Sequence, residues 1–99
     1  MTLVEEAKAT LRITSDDEGL NAEINTLISA ARADLESSGV AGCLACAPEP
    51  EGLVRSAILL YVKANFGYDN ADADRLTEHY EAAKRHLTSA DEFRESDAS

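Results

Sequence analysis

The chain has no tryptophan, and phenylalanine and tyrosine together supply only five residues, while Val plus Ile totals eight. A sheet built on aromatic and β-branched side chains is therefore not expected. Basic residues are equally scarce. Nine Lys plus Arg stand against 19 Asp plus Glu, and the net charge of -10 repels a phosphate backbone instead of releasing its counterions, which disfavours tight nucleic-acid binding. Long apolar runs are missing too. The longest, Ala57 to Val62, is six residues, whereas a bilayer span needs about 20. The N-terminus shows no basic stretch followed by an apolar one, so an unexported chain, with no membrane partner, in the cytoplasm of its host cell is expected. Two cysteines in that setting are expected to be reduced thiols, so the fold should not depend on a disulfide. A chain of 99 residues also has little material for a deep, many-walled pocket, which makes catalysis the minority reading.

What is present favours helices. Apolar residues make up 44% of the chain, and 17 of them are alanine, suited to close helix packing on small side chains. One domain is expected from the length. The fold class that follows is all-α: a compact bundle of about four helices over residues 1–87 with a flexible, disordered acidic tail over 88–99.

Thr2-Leu3-Val4-Glu5 reads as a capping box opening a short helix that ends near Arg12, where the β-branched pair Ile13-Thr14 breaks the stripe of Leu3, Val4, Ala7 and Leu11. Ser15-Asp16-Asp17-Glu18 reads as a second box. Leu20, Ile24, Leu27, Ile28, Ala31 and Leu35 then follow one helical face until Gly39 closes it with a left-handed cap. Residues 40–48 carry no stripe and read as a loop. Pro50 suits the first turn of a third helix. In that helix Leu53, Val54, Ala57, Ile58, Leu60, Tyr61, Val62 and Ala64 cover most of the circumference, so it is either the central helix or an interface helix. Gly67 interrupts it, and Asp69 to Asp72 can cap a fourth helix with the stripe Leu76, Tyr80, Ala83 and Leu87 and the cations Lys84, Arg85 and His86 in its last turn.

Few constellations suggest chemistry. Cys43-Leu44-Ala45-Cys46 has the spacing of a zinc or redox pair but lacks partners: no second pair exists, and His79 and His86 lie about 10 Å apart along a helix. Asn70, Asp72, Asp74 and Glu81 imitate part of a calcium loop, yet Arg75 stands where that loop needs glycine. No nucleophile has a discernible relation to either histidine. No catalytic, cofactor-binding or metal residue is assigned, no cofactor is expected, and the protein is not expected to be an enzyme. Apolar surplus is the remaining feature. Phe66 and Tyr68 flank Gly67 beside a helix apolar nearly all round, and Phe93 is the only large apolar residue after Thr88. Periodicity alone leaves open whether these residues are core or an exposed patch for association.

Leu11-Arg12-Ile13 before Asp16-Asp17-Glu18, the helix from Ile24 to Leu35, Ala57 to Val62, and Lys63-Ala64-Asn65-Phe66-Gly67-Tyr68-Asp69 followed by Arg75, Tyr80 and His86-Leu87 together resemble the small head-tail connector proteins of tailed bacteriophages and prophages. The resemblance covers about residues 3–93. It implies an all-α adaptor that docks beneath the portal protein after DNA packaging, as a ring matching the portal's twelvefold symmetry, and presents a surface to a further neck or tail-completion protein. The implied location is the virion neck after assembly and the bacterial cytoplasm before it. Genomic DNA would pass through the lumen without specific binding. The expected assembly interface is Tyr61, Phe66, Tyr68, Arg75 and Phe93. The alternative is a small acidic helical binding protein, an antitoxin-like or DNA-mimic regulator that neutralises a basic partner, for which the same charge is natural.

Overall fold

The computed structural model describes residues 2–13, 17–50, 52–66 and 71–89. Through them run five helices: α1 (Leu3–Thr10), α2 (Glu18–Ser37), α3 (Gly42–Ala45), α4 (Gly52–Asn65) and α5 (Ala73–Ser89). The all-α expectation holds, with four helices of eight residues or more and one single-turn helix, α3, where a loop was expected. The acidic tail from residue 90 onward lies outside the described residues, as do Gly67 and Tyr68.

Local chemistry sets most helix ends. At α1 both halves of the capping box form: the Glu5 amide donates to Thr2 Oγ1 at 3.1 Å, and the Thr2 amide donates to Glu5 Oε1 at 3.2 Å. These bonds hold the Glu5 carboxyl below its ordinary range. The helix ends near Arg12 as expected, by a reversal that the residue pattern does not announce. Arg12 itself takes a left-handed conformation, φ 60°. Its amide donates to the Ala9 carbonyl, and that of Ile13 reaches back to Lys8 at 2.9 Å, the paired bonds of a Schellman motif. The end of α2 repeats this geometry with the expected residue: Gly39 sits at φ 116°, donates to Glu36, and Val40 donates to Leu35.

The start of α2 departs from expectation. Asp17, not Ser15, is the N-cap, and its Oδ1 accepts from the amides of Gly19 at 2.7 Å and Leu20 at 3.3 Å. Ser15 and Asp16 lie outside the described residues. Pro50 is not in the first turn of α4 but two residues ahead of it, buried, with its carbonyl accepting from Arg55. At the other end of the chain α5 runs through Thr88 and Ser89, beyond the boundary at 87. The hydroxyls of these two residues donate to the carbonyls of Arg85 and His86.

α4 is the central helix and packs on α5, α2 and α1. Ile24, Ala31, Leu35, Val40, Ala45, Ala57, Ile58 and Leu87 are completely enclosed. Ala31 and Ala57 let the neighbouring backbones approach, as helix crossings over small residues allow. α3 lies on α2, tied down by Arg32, whose guanidinium donates to the carbonyls of Ala45 and Ala47. Arg55 knits α1 to α4: it pairs with Glu6 and, at 3.3 Å, with Glu49, whose carboxylate also accepts from the Leu3 amide at 2.8 Å.

Two of the three positive-φ positions, Arg12 and Gly39, make opposite predictions. A non-glycine residue there is strained by about 1–2 kcal/mol, so Arg12→Gly should raise the unfolding free energy measured in urea by about 0.5–1 kcal/mol after the added chain entropy of glycine is subtracted. Gly39→Ala should lower it by about 1 kcal/mol or more, through backbone strain alone, since the nearest atom to the new Cβ would be Thr88 Cγ2 at 4.0 Å.

Candidate functional site

Two surface features flank the C-terminal half of α4. On the side facing α2, the Tyr61 and Tyr80 rings meet edge to face, centroids 5.1 Å apart and planes at 69°. The Tyr80 hydroxyl donates to Asp34 Oδ2 at 2.6 Å, and Lys84 Nζ donates to the same oxygen at 3.0 Å while also pairing with Glu81. A recess of about 250 Å³ beside them is lined by Asp34, Tyr61, Asn65, Thr77 and Glu81 among others. Burial and the Asp34 carboxylate push the Tyr80 hydroxyl up, so it stays a donor at any ordinary pH. Partial burial raises the Asp34 carboxyl, but the bonds from Tyr80 and Lys84 outweigh it and hold the group below its ordinary 3.8.

On the opposite side, a groove of about 350 Å³ runs between the end of α1, α4 and the start of α5. Leu59 and Leu60 form its apolar wall and stay partly exposed, Leu76 lies beneath, and Thr10, Ser56 and Lys63 make the rim. α4 is thus packed on three helices and still carries uncovered leucines.

Of the five residues expected at an assembly interface, Tyr61 in α4 and Phe66 just after it are both half-buried and both packed against the core. Arg75 is exposed in the first turn of α5 and pairs with Asp72 at 3.3 Å, a surface contact of small energetic weight. Tyr68 and Phe93 lie outside the described residues. Cys43 and Cys46 are exposed free thiols at either end of α3. A bond from the Cys46 thiol to Glu36 Oε2 at 3.3 Å pushes its pKa up, away from the reactive thiolate. The calcium-like spacing runs into α5, which holds Asp74 and Glu81 in helix. Among the described residues no three metal-ligating side chains converge.

Asp34 is the residue that periodicity does not find. It is 46 positions from Tyr80, and only the i,i+4 spacing of Tyr80 and Lys84 hinted that α5 had a paired polar edge.

Two predictions follow from this geometry. Because the folded Asp34 carboxyl titrates below its unfolded value near 3.8, its contribution is complete above that pH and is lost as pH falls through the lower folded value. Urea unfolding between about pH 5 and 2 should therefore show a fall in stability that Tyr80→Phe makes shallower. At neutral pH that variant should be weaker by about 1 kcal/mol, a figure kept low because Asp34 is partly exposed. The double change Cys43→Ser and Cys46→Ser should leave the melting temperature nearly unchanged and no zinc should co-purify with the unaltered protein, as metal analysis would show.

A family model described as phage connector protein matches residues 3–94. Neither the curated proteins nor the solved structures give a match. No described helix is long and apolar enough to cross a membrane. With almost its whole length matched and an all-helical fold to carry it, the chain belongs to the phage connector protein family and is a structural component of a phage particle.

Proposed function

We propose that the protein docks as a ring beneath the portal, twelve copies in the virion to match the portal's symmetry, and joins the DNA-filled head to a further neck or tail-completion protein. The observation that carries this reading is the state of α4: a helix already covered on three sides still leaves Leu59 and Leu60 partly exposed, with Tyr61 and Phe66 at its end. A solitary bundle has no use for such a strip, whereas subunits that pack head to tail around an axis do. Tyr68, Arg75 and Phe93 complete the proposed interface. No catalytic step is part of this role.

Charge suits a conduit. With 19 acids against nine bases, a lumen formed by these subunits repels the DNA backbone, so the genome slides through without specific binding. The same repulsion acts between subunits, which keeps the chain monomeric or weakly associated in the host cytoplasm until the portal supplies matching contacts and places it in the virion neck.

Light scattering and sedimentation against salt test this directly. Self-association should strengthen as salt rises and screens the -10 charge, and purified portal rings should recruit the chain in fixed stoichiometry. A single tight, salt-independent ring at micromolar concentration would count against templated assembly. A chain that ignores portal and binds a basic protein as a monomer would support the acidic-regulator alternative instead.

A further inference from the structure

The recess between α2, α4 and α5 is acidic, and the fold uses only part of its hydrogen-bonding capacity. Asp34 comes from α2, Tyr61 and Asn65 from α4, and Thr77, Tyr80 and Glu81 from α5, so three helices converge on a volume of about 250 Å³. That is smaller than the roughly 300–1,000 Å³ of sites for whole small-molecule ligands, and suits the end of one long side chain. Asp34 Oδ2 accepts both the Tyr80 hydroxyl at 2.6 Å and Lys84 Nζ at 3.0 Å. Among the described residues, Asp34 Oδ1, the Tyr61 hydroxyl, Asn65 Oδ1 and the Thr77 hydroxyl have no partner. Charge is left over as well. Asp34 and Glu81 share the single ammonium of Lys84, and no cationic side chain lines the recess.

Open oxygens on three helices, one excess negative charge and the Tyr61 ring together select a planar cation with many donors. An ammonium is a compact, strongly hydrated point charge with three donors, whereas a guanidinium carries five, sheds water more readily and stacks on aromatic rings. It can satisfy a carboxylate oxygen, a hydroxyl and an amide oxygen together while lying against Tyr61. A metal ion lacks a ligand set, since among the described residues no three ligating side chains converge. The source of the guanidinium is a different protein. A copy of this chain arrives with a net charge of -10, which opposes its approach to an acidic recess, whereas a basic partner is drawn in. Two of the chain's own arginines, Arg32 and Arg55, are already bound within the fold.

We propose that the recess formed by Asp34, Tyr61, Asn65, Thr77 and Glu81 is a socket for an arginine side chain presented by another protein of the particle, one whose docking face is basic. The socket rests on the adaptor reading and deepens it by naming the chemistry that recognises the partner. Tyr80 and Lys84 act as positioning residues. By holding Asp34 through Oδ2 they fix the carboxylate before the partner arrives, so less side-chain freedom is lost on binding.

The test begins with the full-length, isotope-labelled chain titrated with a short blocked peptide carrying one arginine, and with its lysine and citrulline counterparts. The arginine peptide should give saturable NMR shifts centred on Tyr61, Asn65 and Thr77, and the other two should bind at least about tenfold more weakly. Thr77→Arg puts a guanidinium at the mouth of the recess from an exposed helical position, so it should abolish those shifts without lowering the melting temperature. The same variant should bind one of the purified partners, portal ring or neck protein, at least about tenfold more weakly than the unaltered chain. Absence of saturable shifts, or an equal response to the lysine peptide, would overturn the proposal. Shifts of the same resonances on concentrating the chain alone would assign the recess to a second copy and overturn it too. If Thr77→Arg binds both partners normally, the socket is removed and the adaptor reading stands; if the unaltered chain binds neither, the adaptor reading falls with it.

Discussion

Burial of α4 is the constraint that the other helices satisfy. Its apolar residues occupy most of the circumference, so no single partner can cover it: α2 contributes Ile24, Ile28 and Leu35 to the shared core, α5 contributes Tyr80 and Leu87, and α1 adds Leu3 and Ala7. α1 has only eight residues. It is too short to cover the far half of α4, and the strip at Leu59 and Leu60 is what remains. The incomplete cover that supports an assembly role is thus a consequence of helix lengths, not of a separate binding motif.

Basic residues are few and are spent inward. Arg32 holds α3 and the chain after it, Arg55 joins α1, Glu49 and α4, and Lys84 closes the Asp34 and Tyr80 pair. A third of its nine cations are engaged in ties between elements, together with the carboxylates of Glu6, Glu49, Asp34 and Glu81, and the charges that remain are still strongly acidic. Internal cohesion and external repulsion therefore draw on the same limited set of charges. A substitution at Arg55 would loosen the contact between α1 and α4 and add to the repulsion between copies.

The features legible in the sequence were those fixed by near neighbours. The Thr2–Glu5 box, the glycine that ends α2 and the stripes of α2 and α5 each depend on residues within one or two turns, where spacing carries the information. The features that escaped depend on distant or unusual partners. Nothing local marks Arg12 for a left-handed conformation, because the reason is Ile13, which the reversal delivers to the core. Four residues are too few for α3 to show a period, and its anchor is Arg32. Of the candidate site, Tyr61 on α4 and Phe66 just after it were legible as apolar surplus. The groove was not, since its walls come from three helices and a stripe says which face is apolar but not how far a neighbour extends over it.

The paired reversals at Arg12–Ile13 and Gly39–Val40 also bear on how quickly the chain can fold. Each closes its corner with hydrogen bonds spanning at most five positions, from Ile13 back to Lys8 and from Val40 back to Leu35, so the direction of exit from α1 and α2 is set before any long-range contact exists. Short closures of this kind carry little loop entropy, and topologies dominated by them lie among the fast-folding ones. Newly made subunits spend correspondingly little time with the leucines and alanines of α4 open to one another, which is the interval in which an unfinished helical protein aggregates.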